Sequence, residues 1–118
     1  MKHRCLYDSV KDALKGIFHV LRSERNMRIH VACGLVVIIL ASVLGVPRLE
    51  FMILILTIGI MFMAELINTA FEEVVNLITK EYHPLAGIIK NIAAGAVLVA
   101  ALVALCIGYI VFRDYFLS

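Results

Sequence analysis

Residues 51–78 read FMILILTIGIMFMAELINTAFEEVVNLI, an apolar run from Phe51 to Ala64 that passes without a break into a segment carrying Glu65, Asn68, Glu72 and Asn76. The uncharged part is too short to cross a bilayer alone, since a spanning helix needs about 20 apolar residues. Continued to Ile78, it crosses and emerges with polar groups on one side. Glu65, Asn68, Glu72 and Asn76 follow at intervals of three, four and four, which at about 100° per residue confines them to an arc of roughly 80°. Thr69 falls beside them and Glu73 lies on the flank. An ionisable group inside a spanning helix costs at least about 2.5 kcal/mol on insertion scales, so acids on this face require a use or a partner. Acids snorkelling at the interface are the plain alternative. Asn68 speaks against it, because an amide gains nothing by facing lipid.

Two further runs extend the pattern on either side. Ile29 to Val46 contains no charge apart from a proton on His30 and forms a first span; Gly45-Val46-Pro47-Arg48 then supplies turn residues. After Thr79-Lys80-Glu81-Tyr82-His83-Pro84 a third helix carries Lys90 and Asn91 ahead of the uncharged run Ile92 to Phe112. Ahead of the first span, Leu6, Val10, Ala13, Leu14, Ile17, Val20 and Leu21 recur at helical spacing, with Asp8, Lys11, Asp12 and Lys15 mostly opposite. That is an amphipathic helix suited to an anionic membrane surface, or an ordinary helix packed on protein. The expected architecture is an all-α integral membrane protein with one domain over 1–118. It comprises an amphipathic helix within 1–28 and spanning helices at 29–46, 49–78 and 84–112. Lysines and arginines concentrate before the first span (Lys2, Arg4, Lys11, Lys15, Arg22, Arg25, Arg28) and around the second loop (Lys80, Lys90), against Arg48 and Arg113 on the other side. The positive-inside rule therefore puts the N-terminus in the cytoplasm and the C-terminus outside.

Composition agrees with a membrane solvent. Of 118 residues, 63% are hydrophobic, and mean hydropathy is +0.99, whereas soluble domains hold about 45–50% apolar residues. A net charge of +2 without a basic stripe excludes nucleic acid as a partner. Cys5, Cys33 and Cys106 are far apart and form no C-x-x-C pair, so neither a disulfide framework nor a zinc site is expected. Residues 1–28 carry charges throughout and do not read as a signal peptide. A small-residue seam on the third helix, Ala93, Ala94, Ala96, Ala100, Ala101 and Ala104, suits close helix contact, between subunits or within one.

Carboxylates on one face, without histidine or thiol among them, suit a hard cation such as Mg²⁺ better than zinc or iron. Such an ion keeps sites for water and substrate phosphates, and Lys90 enters the third helix at a depth where it could meet a nucleotide's phosphates or simply snorkel. No Walker loop and no kinase Gly-rich loop with H-R-D and D-F-G is present. A proton or ion carrier would also use intramembrane acids, but nothing more polar than Thr57 continues across Phe51 to Met63.

The stretch Ala64-Glu65-Leu66-Ile67-Asn68-Thr69-Ala70-Phe71-Glu72 resembles the signature of the prokaryotic diacylglycerol kinase and undecaprenol kinase family. Glu24-Arg25-Asn26-Met27-Arg28-Ile29-His30 and Glu81-Tyr82-His83-Pro84-Leu85-Ala86, leading to Lys90 and Ala93-Ala94-Gly95-Ala96-Val97, agree in order and spacing. These versions resemble the Gram-positive branch, which mostly phosphorylates undecaprenol. The resemblance implies a homotrimeric plasma-membrane kinase of lipid metabolism, dependent on ATP and Mg²⁺, with active sites shared between neighbouring chains. By the same resemblance Glu65 is the general base at the lipid hydroxyl, with Arg28 also at the lipid, and Glu24 and Glu72 ligate Mg²⁺. The nucleotide is met by Glu24, Asn68, Glu72, Asn76, Glu81, Tyr82, His83, Lys90 and Asn91. Two positions depart from the family's pattern: Val74-Val75-Asn76 stands where V-V-D is usual, and Lys90-Asn91 where K-D is usual. Each asparagine keeps an acceptor and removes a charge, which leaves open a weakly active or non-catalytic lipid-binding protein of the same fold. Diacylglycerol remains an alternative acceptor to undecaprenol.

Overall fold

The computed structural model describes residues 5–117, so Lys2 and Arg4 lie outside the described residues. Four helices follow in order, α1 (Leu6–Ser23), α2 (Arg25–Leu44), α3 (Arg48–Ile78) and α4 (Pro84–Phe116). No strand occurs among the described residues. α1 buries Val20, while Leu6, Val10 and Leu14 stay exposed. It stops because Glu24 takes extended backbone, φ −113° and ψ 113°. Arg28 Nη1 donates to the carbonyls of Leu21 and Arg22, both at 2.9 Å, which satisfies acceptors a helix end leaves unpaired. Helical hydrogen bonding resumes at Arg25, ahead of the uncharged run that starts at Ile29, because charged residues extend a helix as readily as apolar ones.

The α2–α3 connection is made by Gly45, whose φ of 67° is left-handed. The Val46 N–H reaches Ala41 O at 3.1 Å and the Gly45 N–H reaches Ser42 O at 3.3 Å, the paired closure of a glycine-capped helix. At the other end, His83 Nδ1 accepts from the Leu85 N–H at 3.1 Å, and Pro84 opens α4, where a missing N–H costs nothing. α4 runs past Phe112 to Phe116, with the Arg113 guanidinium 5.7 Å from the centre of the Tyr109 ring one turn back.

Three helices, Arg25–Leu44, Arg48–Ile78 and Pro84–Phe116, are long and apolar enough to cross a membrane. Their outward faces carry exposed Leu35, Val36, Ile39, Val43, Leu102 and Leu105, a surface that hydrocarbon stabilises and water does not. α3 packs chiefly along α4 and less on α2, and α1 touches α2 and α3. The core sits near the glycine turn, where Ala41, Val46, Leu54 and Val111 cluster with Phe51 and Ile107. α2 approaches α3 closely at Gly34, where an added Cβ would stand 3.1 Å from Ile58 Cγ2 and 3.4 Å from Phe62 Cζ. The alanine seam of α4 divides: Ala93 and Ala100 are buried within the chain, and Ala94 and Ala96 remain exposed. Between α2, α3 and α4 runs an apolar groove of about 460 Å³, from Ile29 and His30 at one end to Tyr109 and Phe112 at the other.

Candidate active site

α3 is 31 residues long, about 46 Å at 1.5 Å per residue, against a hydrocarbon core of about 30 Å. Its second half therefore has to run past the apolar layer, and there the polar face emerges. At the helix's inner turn Glu65 and Thr69 are each 2% exposed. A buried carboxylate needs a partner, and His30 Nε2 on α2 stands 3.1 Å from Glu65 Oε1. One turn further, Asn68 Nδ2 donates to Glu72 Oε1 at 3.3 Å. Asn68 Oδ1 and Thr69 Oγ1 are buried without a hydrogen-bond partner.

Glu24, in the α1–α2 break, stands in the field of the same acids. Burial raises its pKa above the ordinary glutamate value, and Glu72, Glu65 and Glu73 raise it further, in that order, while Arg28 opposes them. Residues forty positions and more apart thus share one electrostatic neighbourhood. Among the described residues no three His, Cys, Asp or Glu side chains converge into a ready-made metal centre. The donor set is nonetheless oxygen-rich and negatively charged, and the orphaned Asn68 Oδ1 adds an acceptor beside Glu72. That chemistry fits an ion that takes few protein carboxylates and completes its shell with phosphate and water oxygens.

The start of α4 supplies the opposite charge. Lys90 Nζ donates to Asn76 Oδ1 at 2.8 Å, joining α4 to α3 through a neutral acceptor. A cleft of about 260 Å³ opens beside this bond, lined by Asn76, Glu81, Tyr82, His83 and Lys90 together with Thr79 and Lys80. Five of the residues expected to meet a nucleotide are thereby gathered in one place. Glu24, Asn68 and Glu72 belong to the neighbouring acidic group, and Asn91 is exposed outside the cleft lining. Tyr82 is 92% exposed, held on a loop that a Thr79–Glu81 side-chain turn shapes. Arg28, expected at the lipid, has its Nη1 on the carbonyls that end α1.

His30 is the residue that sequence reasoning passed over. Its signal was available: an ionisable ring at the head of an otherwise uncharged span needs a partner as much as Glu65 does.

Comparison with known proteins shows the family. The family model described as prokaryotic diacylglycerol kinase matches residues 11–112. The undecaprenol kinase of Bacillus subtilis (strain 168) is 42% identical over 106 residues, which is 90% of this chain and 86% of that protein. The diacylglycerol kinase of Synechocystis sp. is 42% identical over 101 residues, 85% of this chain and 58% of that protein. That of Escherichia coli (strain K12) is 30% identical over 102 residues, 86% of this chain and 84% of that protein. The match runs through the α1–α2 break, the polar half of α3 and the start of α4, and the chain belongs to the prokaryotic diacylglycerol kinase family and, with it, to the lipid kinases.

Proposed function

We propose that the protein transfers the γ-phosphoryl group of ATP to a membrane lipid alcohol in an Mg²⁺-dependent reaction, and that undecaprenol is its acceptor. The observation that carries this is the convergence on α3, at one end of the bundle, of Glu65, Asn68 and Glu72 with Glu24, and of Asn76 with Lys90. Undecaprenol is preferred to diacylglycerol because the match covers 86% of the Bacillus undecaprenol kinase against 58% of the equally identical Synechocystis diacylglycerol kinase, and because the motifs at Glu24–His30 and Tyr82–Ala86 resemble the Gram-positive branch. Glu24 and Glu72 would hold the ion, which when bound neutralises phosphate charge. Lys90 and the cleft residues Asn76, Glu81, Tyr82 and His83 hold the nucleotide, with Asn68, paired to Glu72, and Asn91, next to Lys90 on α4, as further contacts. Arg28 braces the α1–α2 break at the membrane surface beside the lipid.

Glu65 takes the proton. Counting about 20 residues from Arg48 exhausts the hydrocarbon thickness near Asn68. Glu65 lies one turn inside that level, where the hydroxyl of a lipid alcohol sits when its tail stays in the bilayer. As that oxygen bonds to the γ-phosphorus, its proton passes to Glu65 and the bond from phosphorus to the bridging oxygen breaks, leaving ADP with the electron pair. Asn76 in place of an aspartate does not disable this chemistry: an amide acceptor leaves the Lys90 ammonium with its full charge for phosphate, where a carboxylate would partly neutralise it. On this reading the protein is a multi-pass plasma-membrane enzyme with its N-terminus, acidic group and nucleotide cleft cytoplasmic, and it works as a homotrimer through the face of α4 that bears Ala94 and Ala96.

The test is transfer of labelled phosphate from ATP to lipid in mixed micelles, with undecaprenol and diacylglycerol compared. Undecaprenol-dependent incorporation is expected. No incorporation into either lipid would leave a non-catalytic lipid binder, and incorporation into diacylglycerol alone would overturn the acceptor. A monomeric mass by native mass spectrometry in mild detergent would overturn the trimer.

A further inference from the structure

We propose that His30 is a positioning residue for Glu65. Its Nε2–H holds Oε1, so that Oε2 is the oxygen aimed at the lipid hydroxyl. This rests on Glu65 being the general base.

Four observations carry it. First, the bond is between helices: His30 lies on α2 and Glu65 on α3, 3.1 Å apart. It therefore fixes the carboxylate relative to a second element, whereas a bond within α3 would let it move with its own helix. Second, among the described residues no other side-chain donor is paired with Glu65. Asn68 Nδ2 is on Glu72, Arg28 Nη1 on the α1 carbonyls and Lys90 on Asn76, and the hydroxyl of Thr69 makes no hydrogen bond. Third, burial is unequal. The Glu65 side chain is 3% exposed and that of His30 is 25% exposed, so the acid is enclosed and the ring forms its outer wall. Fourth, His30 lines the end of the 460 Å³ apolar groove, next to Ile29, Cys33 and Gly34. A lipid tail entering that groove would bring its head past the imidazole to the carboxylate.

The physical reason for such a residue is torsional. The terminal torsion of a glutamate is broad and roughly two-fold, so an unbraced carboxylate samples orientations in which neither oxygen faces the substrate. A misplacement of 1 Å can cost about 10²-fold in rate. One N–H···O bond from a neighbouring helix removes that freedom and leaves one oxygen to accept the proton. For Nε2 to donate, the ring carries its proton there, with Nδ1 bare in the neutral form.

The experiment compares His30→Ala, His30→Gln, Glu65→Gln and the His30→Ala/Glu65→Gln double variant in the micelle assay, with Mg-ATP binding as the check on folding. His30→Ala is expected to lower kcat by about 10- to 100-fold with both KM values within about twofold. His30→Gln, whose amide can donate in place of Nε2, recovers most of that loss. His30→Ala on the Glu65→Gln background produces no further drop, because the base it positions is gone. If Glu65→Gln abolishes turnover while His30→Ala leaves kcat intact, the positioning role is overturned and the base survives. Additive losses in the double variant overturn it too, since His30 would then act elsewhere. Full turnover in Glu65→Gln would overturn the base and the positioning role together. Should His30→Ala fail to bind Mg-ATP, the ring nitrogens of the otherwise native protein decide by NMR. Nε2 is expected protonated and shifted by Glu65→Gln but not by Glu72→Gln, and a His30 signal indifferent to Glu65→Gln overturns the proposal.

Discussion

Glu65→Gln separates chemistry from architecture more cleanly than any other single substitution in the molecule. Glutamine has the shape of glutamate and keeps Oε1 as an acceptor for His30 Nε2, so the 3.1 Å bridge between α2 and α3 has no reason to break. Burying a neutral amide at a site 2% exposed also costs less than burying a carboxylate. The fold should therefore survive. What disappears is the lone pair that takes the lipid proton, and a lost general base costs about 10²–10⁴-fold, or about 2.7–5.4 kcal/mol at 1.36 kcal/mol per tenfold. Phosphoryl transfer asks little covalent help of the protein, so a loss near the lower end, about 100-fold in kcat, is expected. Mg-ATP affinity should change little, because Glu24 and Glu72 remain. A second readout follows from the field at Glu24, which Glu65 helps to raise. With that charge gone, the Glu24 pKa should move down toward its ordinary value. Turnover is measured at saturating lipid and ATP in mixed micelles and Mg-ATP binding by calorimetry. Turnover within about tenfold of the parent, with normal binding, would refute the assignment of Glu65 as base.

Glu72→Gln removes a proposed Mg²⁺ ligand and should weaken Mg-ATP binding at least about tenfold while leaving the thermal transition in place; equal affinity would show that Glu72 is not a ligand. Glu24 holds its proton to higher pH folded than unfolded, so its contribution to stability is present at low pH and lost as pH rises from the ordinary glutamate range through the raised value. Without divalent ions, Tm relative to Glu24→Gln should fall over that window, and Mg²⁺ should abolish the fall; a flat difference would count against the acidic cluster. Gly34→Leu would drive a side chain into Ile58 and Phe62, which an added Cβ already approaches at 3.1 and 3.4 Å; overpacking of about 1–3 kcal/mol is expected, and an unchanged Tm in detergent would show that α2 and α3 can part there without cost.

The three apolar runs, the turn at Gly45-Val46-Pro47 and the single polar face of α3 could all be read from the chain, because hydrophobic run length and the 100° helical step are local properties. The same holds for the motifs around Glu24, Glu65 and Lys90, whose order and spacing carried the family. Tertiary structure decided which side chains are partners. Nothing local in the chain joins His30 to Glu65 or Lys90 to Asn76, since the members of each pair lie on different helices and meet only through how α2 and α4 lie against α3; Glu24 and Glu72 were joined by the family resemblance alone. Tertiary structure also decided that Arg28 spends a nitrogen on the end of α1, that α2 starts at Arg25 and α4 continues to Phe116, and that Ala93 and Ala100 are consumed inside the chain. Those outcomes follow from helix ends and packing angles, where backbone carbonyls need donors and ridges need grooves. A sequence specifies which residues share a face of one helix; only the packing of helices specifies which faces meet.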